Sequence, residues 1–144
     1  MLIKYTLIFL FLFNIQTLTA AELINLTANE VNNGLSKSAL VIDIRTPQEW
    51  QKTGLIPGSH PINFFDKNGK HNTNQWLAEV RKLQTSPEQE IILVCHSGSR
   101  SGQVGHYLTD QLNMSNVSHL ANGISSWIRE QRPTQKMCSP TQTC

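Results

Sequence analysis

The chain has 144 residues, with 12 Lys and Arg against 10 Asp and Glu and a formal net charge of +2. Its basic residues are scattered, without a run or interleaved aromatics, so no nucleic-acid partner is expected. His60, His71, His106 and His119 show no metal-ligand spacing and read as surface or ordinary packing residues, so neither a metal nor a cofactor is expected.

Residues 1–21 read as a signal peptide. They carry one charge, Lys4, then the apolar run Leu7 to Phe13, then a polar stretch reaching the small residues Thr19-Ala20-Ala21. The apolar run is short for a bilayer span, which leaves an uncleaved anchor as the less favoured alternative. Cleavage after Ala20 or Ala21 predicts export, to a periplasm or as a secreted protein, with no membrane contact once the signal is removed. Residues 22–131 then form one domain of a length that buries a single core, and 132–144 a polar tail containing Cys138 and Cys144.

Within the domain, Thr27-Ala28-Asn29-Glu30 reads as a capping box that opens a short helix ended by Gly34. Ala39 to Ile44 is an apolar strand interrupted only by Asp43. Thr46-Pro47-Gln48-Glu49 repeats the box with Pro at the first helical position, predicting a helix over 47–52. Pro57-Gly58 turns the chain toward a short strand near Ser59 to Asn63, and Phe64 to Asn74 is turn-rich. A helix from Thr73 to Leu83 places Trp76, Leu77, Val80 and Leu83 on one face. Ile91 to Val94 is the central strand. Val104, Tyr107, Leu108 and Leu112 then have the spacing of an amphipathic helix, Val117 to Leu120 supplies a last strand, and Ile124 to Glu130 a last helix. This alternation predicts an α/β fold, a small parallel sheet covered by helices on both faces, with its site at the carboxyl ends of the strands.

The most informative stretch is Cys95-His96-Ser97-Gly98-Ser99-Arg100, set directly after the central strand. A thiol at a strand end, a short Gly/Ser loop and an arginine at the mouth of a helix surround one sulfur with backbone N–H groups, a helix dipole and a cation. Such surroundings favour a thiolate over an inert core cysteine. Small Ser97 and Ser99 suit a tight loop, and Gly98 supplies a backbone angle other residues resist.

These residues resemble the active loop of the rhodanese-like sulfurtransferases, in which four residues separate Cys from Arg, as they separate Cys95 from Arg100. Val41-Ile42-Asp43-Ile44-Arg45 with Glu49-Trp50 is similar to that family's first signature, and Gly54-Leu55-Ile56-Pro57-Gly58-Ser59 to its second, with Leu55 where many relatives carry His. Asn122-Gly123-Ile124 with Trp127 resembles the pattern that closes the domain.

The resemblance implies a thiosulfate sulfurtransferase with Cys95 as the catalytic nucleophile. A small anionic sulfur donor such as thiosulfate would leave its outer sulfur on Cys95 as a persulfide, and cyanide, a thiol or a protein acceptor would remove it. His96, Ser97, Gly98, Ser99 and Arg100 would form the substrate-binding loop. For Arg100 two roles stand open, binding the donor's oxygens or closing the loop through backbone carbonyls. A base role for His96 is disfavoured, because neighbours in a tight loop point apart. Asp43, Arg45 and Glu49 read as a structural network pinning strand to helix rather than as catalytic groups.

Two alternatives come from other classes. One is a non-enzymatic persulfide carrier or binding module. The other, less favoured, is a cysteine phosphatase or arsenate reductase, whose loops carry one residue more between Cys and Arg to fit a tetrahedral oxyanion. In an oxidising compartment Cys138 and Cys144 are expected to join in an intramolecular disulfide, with a sulfur or redox relay as the alternative role.

Overall fold

In the computed structural model of the chain, residues 20–137 are described. Residues 1–19 of the expected signal, and the pair Cys138 and Cys144, lie outside them. Among the described residues no helix is long and apolar enough to cross a membrane.

Five strands form one parallel sheet: β1 (Ile24–Leu26), β2 (Leu40–Asp43), β3 (His60–Pro61), β4 (Ile91–Val94) and β5 (Val117–Leu120), in the order β1-β5-β4-β2-β3. Five helices join them: α1 (Ala28–Ser36), α2 (Pro47–Thr53), α3 (Thr73–Leu83), α4 (Ser99–His106) and α5 (Gly123–Arg129), with a π-helical turn over Tyr107–Gln111.

Strand β4 and, apart from Asp43, strand β2 are apolar on both faces because both faces of the sheet are covered there, as parallel sheets require. Leu40, Ile42, Ile91 and Leu93 pack with Trp76, Leu77 and Val80 of α3 and Val104 of α4. Their neighbours Val41, Ile92 and Val94 point the other way, onto Ala28 and Val31 of α1 and Ile124 and Trp127 of α5. Both capping boxes are present, with the carboxylates of Glu30 and Glu49 accepting from the backbone N–H of Thr27 and Thr46 at 2.7 and 3.0 Å.

Several local expectations are corrected. Gly34 does not end α1 but lies within it, where it lets helix and sheet touch: a Cβ there would sit 2.6 Å from Ile92 Cδ1. The turn that leaves the helix falls at Ser38, with φ of 65°. The strand expected near Ser59 to Asn63 shortens to His60–Pro61, although Ile62 N–H still donates to Asp43 O of β2 at 3.0 Å. On α3, Leu83 is exposed rather than packed, and the π-helical turn carries Tyr107 and Leu112 outward while Leu108 stays buried.

Two features had no counterpart in the sequence reading. One is β1, whose three residues are too few to show a period and which lies at the sheet edge against β5. The other is the start of the expected tail. Gln135 pairs with Leu55 through two backbone bonds of 2.8 Å, Pro133 O accepts from the Trp127 indole, and Arg132 stacks over that ring at 5.1 Å.

Candidate active site

The site lies at the carboxyl end of the sheet, where β4 runs into the cysteine loop and α4 begins. Cys95 is fully buried, and its sulfur accepts the Gly98 N–H at 3.1 Å and the Ser101 hydroxyl at 3.3 Å. Gly98 has φ of 94°, and a Cβ there would collide with the Ala121 carbonyl, so glycine is what lets the loop curl back onto its own thiol.

The loop is clamped from behind by α5. Ile124 N–H donates to Cys95 O at 2.8 Å, and His96 O accepts from both the N–H and the hydroxyl of Ser125, at 3.1 and 2.8 Å. Gly123, with φ of 58°, permits this approach, since any side chain there would strike the His96 carbonyl. The Asn122-Gly123-Ile124 motif thus fixes the backbone of the cysteine loop from a point well downstream in the chain.

Of the residues expected to bind substrate, Gly98 is buried against the sulfur, while His96, Ser97 and Ser99 are exposed at the rim. The His96 ring lies 3.4 Å from the Ser125 hydroxyl, and no bond links it to the thiol. Arg100 does not close the loop on backbone carbonyls. Its two terminal nitrogens donate instead to the two carboxylate oxygens of Glu49, at 2.9 and 2.5 Å. The Arg100 hydrogen bond is the main cause that holds the Glu49 carboxyl down at about 2, outweighing partial burial, with the α2 cap adding to it.

Asp43 and Arg45 form a separate, fully buried ion pair at 2.7 Å. Arg45 also donates to Gly54 O and the Thr53 hydroxyl, and Asp43 accepts from the Trp50 indole at 3.0 Å. Strand β2 and helix α2 are pinned together through this network. The Glu49 carbonyl stays in it, accepting from Thr53 and Arg45 at 3.0 and 3.5 Å, while the Glu49 carboxylate joins the loop arginine.

His119, expected among surface or ordinary packing residues, is corrected to a buried and fully bonded one. It is 5% exposed on β5, its Nδ1 is 3.1 Å from the Ser101 hydroxyl, and its Nε2 is 2.6 Å from Asn25 Oδ1 on β1. Burial pushes the imidazole below its ordinary value, and His106 adds to the effect. The available signal was a polar pair, Ser118-His119, inside an otherwise apolar strand, together with the hydroxyl that follows Arg100.

A thiol cradled at the end of a central parallel strand, in a loop closed by a glycine-led helix, places the chain among parallel α/β domains with a cysteine loop at the carboxyl end of the sheet. The family model of the rhodanese-like domain matches residues 27–130, and the chain belongs to that family. It is similar to a curated sulfurtransferase of Allochromatium vinosum, 29% identical over 98 residues, which span 68% of this chain and 79% of that protein. Among solved structures it resembles a rhodanese-related protein of Thermoplasma volcanium, with a TM-score of 0.57 and 24% identity over 79% of this chain and 99% of the other. It also superimposes on part of a thiosulfate sulfurtransferase of Pseudomonas aeruginosa, with a TM-score of 0.63 and 24% identity, covering 79% of this chain and 20% of the larger one. These neighbours bear out the parallel α/β fold expected from the sequence.

Proposed function

We propose that the protein is a sulfurtransferase that moves sulfane sulfur from thiosulfate, or a related anionic donor, through a Cys95 persulfide to cyanide or a thiol. The observation that carries this reading is the Cys95 sulfur itself, buried at the end of β4 and bonded by Gly98 N–H and Ser101 O–H. Family membership and the curated sulfurtransferase relative support it.

In the first half-reaction the thiolate attacks the outer sulfur of thiosulfate, the sulfur–sulfur bond of the donor breaks, and sulfite leaves with the bonding pair. In the second, cyanide attacks the terminal sulfur of the persulfide and departs as thiocyanate, which regenerates the thiolate. The cradle formed by His96 to Arg100 receives the donor anion, and the Gly98 N–H and Ser101 O–H that hold the resting sulfur lie beside the persulfide.

Arg100 favours a second reading to be kept beside the first. Its guanidinium is already committed to Glu49, so it does not present a free fork to a small anion. A carrier charged with sulfur by a partner protein would need no such fork. The sequence of residues 1–21 supports export as the setting for either role.

Incubation with thiosulfate should raise the intact mass by one sulfur atom, and cyanide should reverse the gain. Cys95→Ser should abolish both, since a hydroxyl neither ionises at neutral pH nor forms a persulfide. Thiosulfate:cyanide turnover that survives this substitution would overturn the assignment, and charging only by a partner protein would select the carrier.

A further inference from the structure

We propose that Ser101 and His119, with Asn25 behind them, form a proton relay that takes the proton of the Cys95 thiol and holds it during sulfur transfer. The relay rests on the reading of Cys95 as the sulfur-carrying nucleophile and adds positioning residues that its sequence neighbourhood does not show.

The atoms lie in one chain. Cys95 Sγ is 3.3 Å from Ser101 Oγ, Ser101 Oγ is 3.1 Å from His119 Nδ1, and His119 Nε2 is 2.6 Å from Asn25 Oδ1. An amide oxygen only accepts, so Asn25 places the imidazole proton on Nε2 and leaves the Nδ1 lone pair facing Ser101. Gly102 supports the ring, since a Cβ there would lie 3.3 Å from His119 Cε1.

The Ser101 hydroxyl has one proton and three acceptors in reach, Gly98 O at 3.2 Å, Cys95 Sγ at 3.3 Å and His119 Nδ1 at 3.1 Å, and the relay uses the last two. With a neutral imidazole it donates to Nδ1, and its oxygen accepts the thiol proton. With an imidazolium it accepts from Nδ1–H and donates to the sulfur. Both states complete every hydrogen bond in the chain, and the change between them is the passage of one proton. The thiol S–H bond breaks, Ser101 gains that proton and gives its own to Nδ1, and thiolate plus imidazolium replace thiol plus imidazole. Attack on the donor then proceeds as above, with sulfite leaving. When cyanide has taken the sulfur, the proton returns by the same path. Burial holds His119 in the neutral form at rest and opposes the imidazolium, which is populated only while the transfer is under way.

Few other charges face this chain. His106 of α4 acts on the imidazole through its charge and is paired with Asp110 of the π-helical turn at 3.5 Å. Arg100, with its Glu49 partner, and Asp43 of β2 lie on the sulfur side. Strands β1 and β4, which flank β5, carry no charged side chains.

The test is the pH dependence of Cys95 alkylation by iodoacetamide in the full chain, with the modified cysteine identified by peptide mass. His119→Gln keeps groups able to bond Ser101 and Asn25 but takes no proton, so a merely structural histidine would leave the profile in place. The relay predicts that the half-maximal rate moves to higher pH in His119→Gln and in Ser101→Ala, with alkylation at neutral pH slowed about tenfold. Ser101→Thr should restore the profile, and the double variant should fall no further than either single one. Asn25→Asp, which stabilises an imidazolium, should shift the profile to lower pH, and it decides the matter if His119→Gln does not fold. An unchanged profile in His119→Gln, a multiplicative loss in the double variant, or an unmoved or upward profile in Asn25→Asp would overturn the relay. Persulfide formation is scored separately: a shifted profile without a persulfide refutes the sulfurtransferase reading alone, and an unshifted profile with normal sulfur loading refutes the relay alone.

Discussion

Two ion pairs stand within a few residues of each other and behave as different objects. Asp43 and Arg45 are fully buried, and every donor and acceptor between them is used, on Trp50, Thr53 and Gly54. Glu49 and Arg100 have the same charges and a bidentate geometry, yet their side chains are 28% and 32% exposed. The buried pair has no other partner to turn to, so it acts as a strut between β2 and α2. The partly exposed pair can exchange partners with water or an incoming anion, and it borders the cysteine loop.

The largest expected effect breaks the strut. Arg45→Ala would leave the Asp43 carboxylate buried with only the Trp50 indole and its own local backbone contact, at a cost of about 3–5 kcal/mol. Urea unfolding measures it directly. Arg100→Ala should cost no more than about 1 kcal/mol in the same assay, because its partner stays in contact with water. Comparable losses for the two substitutions would dissolve the distinction between strut and labile pair.

Next in size is a loss of function without a loss of fold. Arg100→Lys keeps the charge but not the planar fork that meets both oxygens of Glu49, so the loop cation is no longer fixed in direction. Thiosulfate:cyanide turnover should fall about tenfold on the reading that this geometry serves transfer, while the unfolding midpoint barely moves. Turnover near that of the unchanged protein would show that the fork serves neither donor binding nor loop placement.

The contrast also shows what a single sequence displays. The capping boxes at Thr27 and Thr46, the limits of α3 and the run Ile91 to Val94 were readable because each depends on residues close in the chain. The position of the cysteine loop at the end of β4 was readable for the same reason, as its residues all lie within Cys95 to Arg100. The partner chosen by Arg100 was not, since Glu49 had a sufficient local role as the cap of α2 and nothing in the pattern announces a second one. Asn25, Ser101 and His119 meet only because edge strand β1 pairs with β5 and α4 packs beside it. Their separation in sequence leaves no periodic trace. Gly34 misled for a related reason: its lack of a side chain serves contact with Ile92 on β4, which local reading takes for a helix stop.

The smallest effect lies in the pH dependence of the labile pair. The Glu49 carboxyl is held at about 2 in the folded protein against an ordinary 4.5, chiefly by its hydrogen bond to Arg100. A depressed carboxylate binds fewer protons in the folded than in the unfolded chain, so its stabilisation is fully present above about pH 4.5 and is lost as pH falls toward about 2. Taken at full value the shift would be worth about 3 kcal/mol, but solvent screening of so exposed a pair reduces it to about 1 kcal/mol or less. Glu49→Gln keeps a side-chain oxygen for the Thr46 N–H but loses the charge and one of the two oxygens that accept from Arg100, so the titration is read from how the deficit changes with pH. Its stability deficit in urea should be greatest near neutral pH and should narrow steadily below pH 4.5 as the native carboxylate takes up its proton. A deficit that stays constant down to about pH 3 would show that the loss does not follow protonation of Glu49 and that its charge pair with Arg100 contributes nothing measurable.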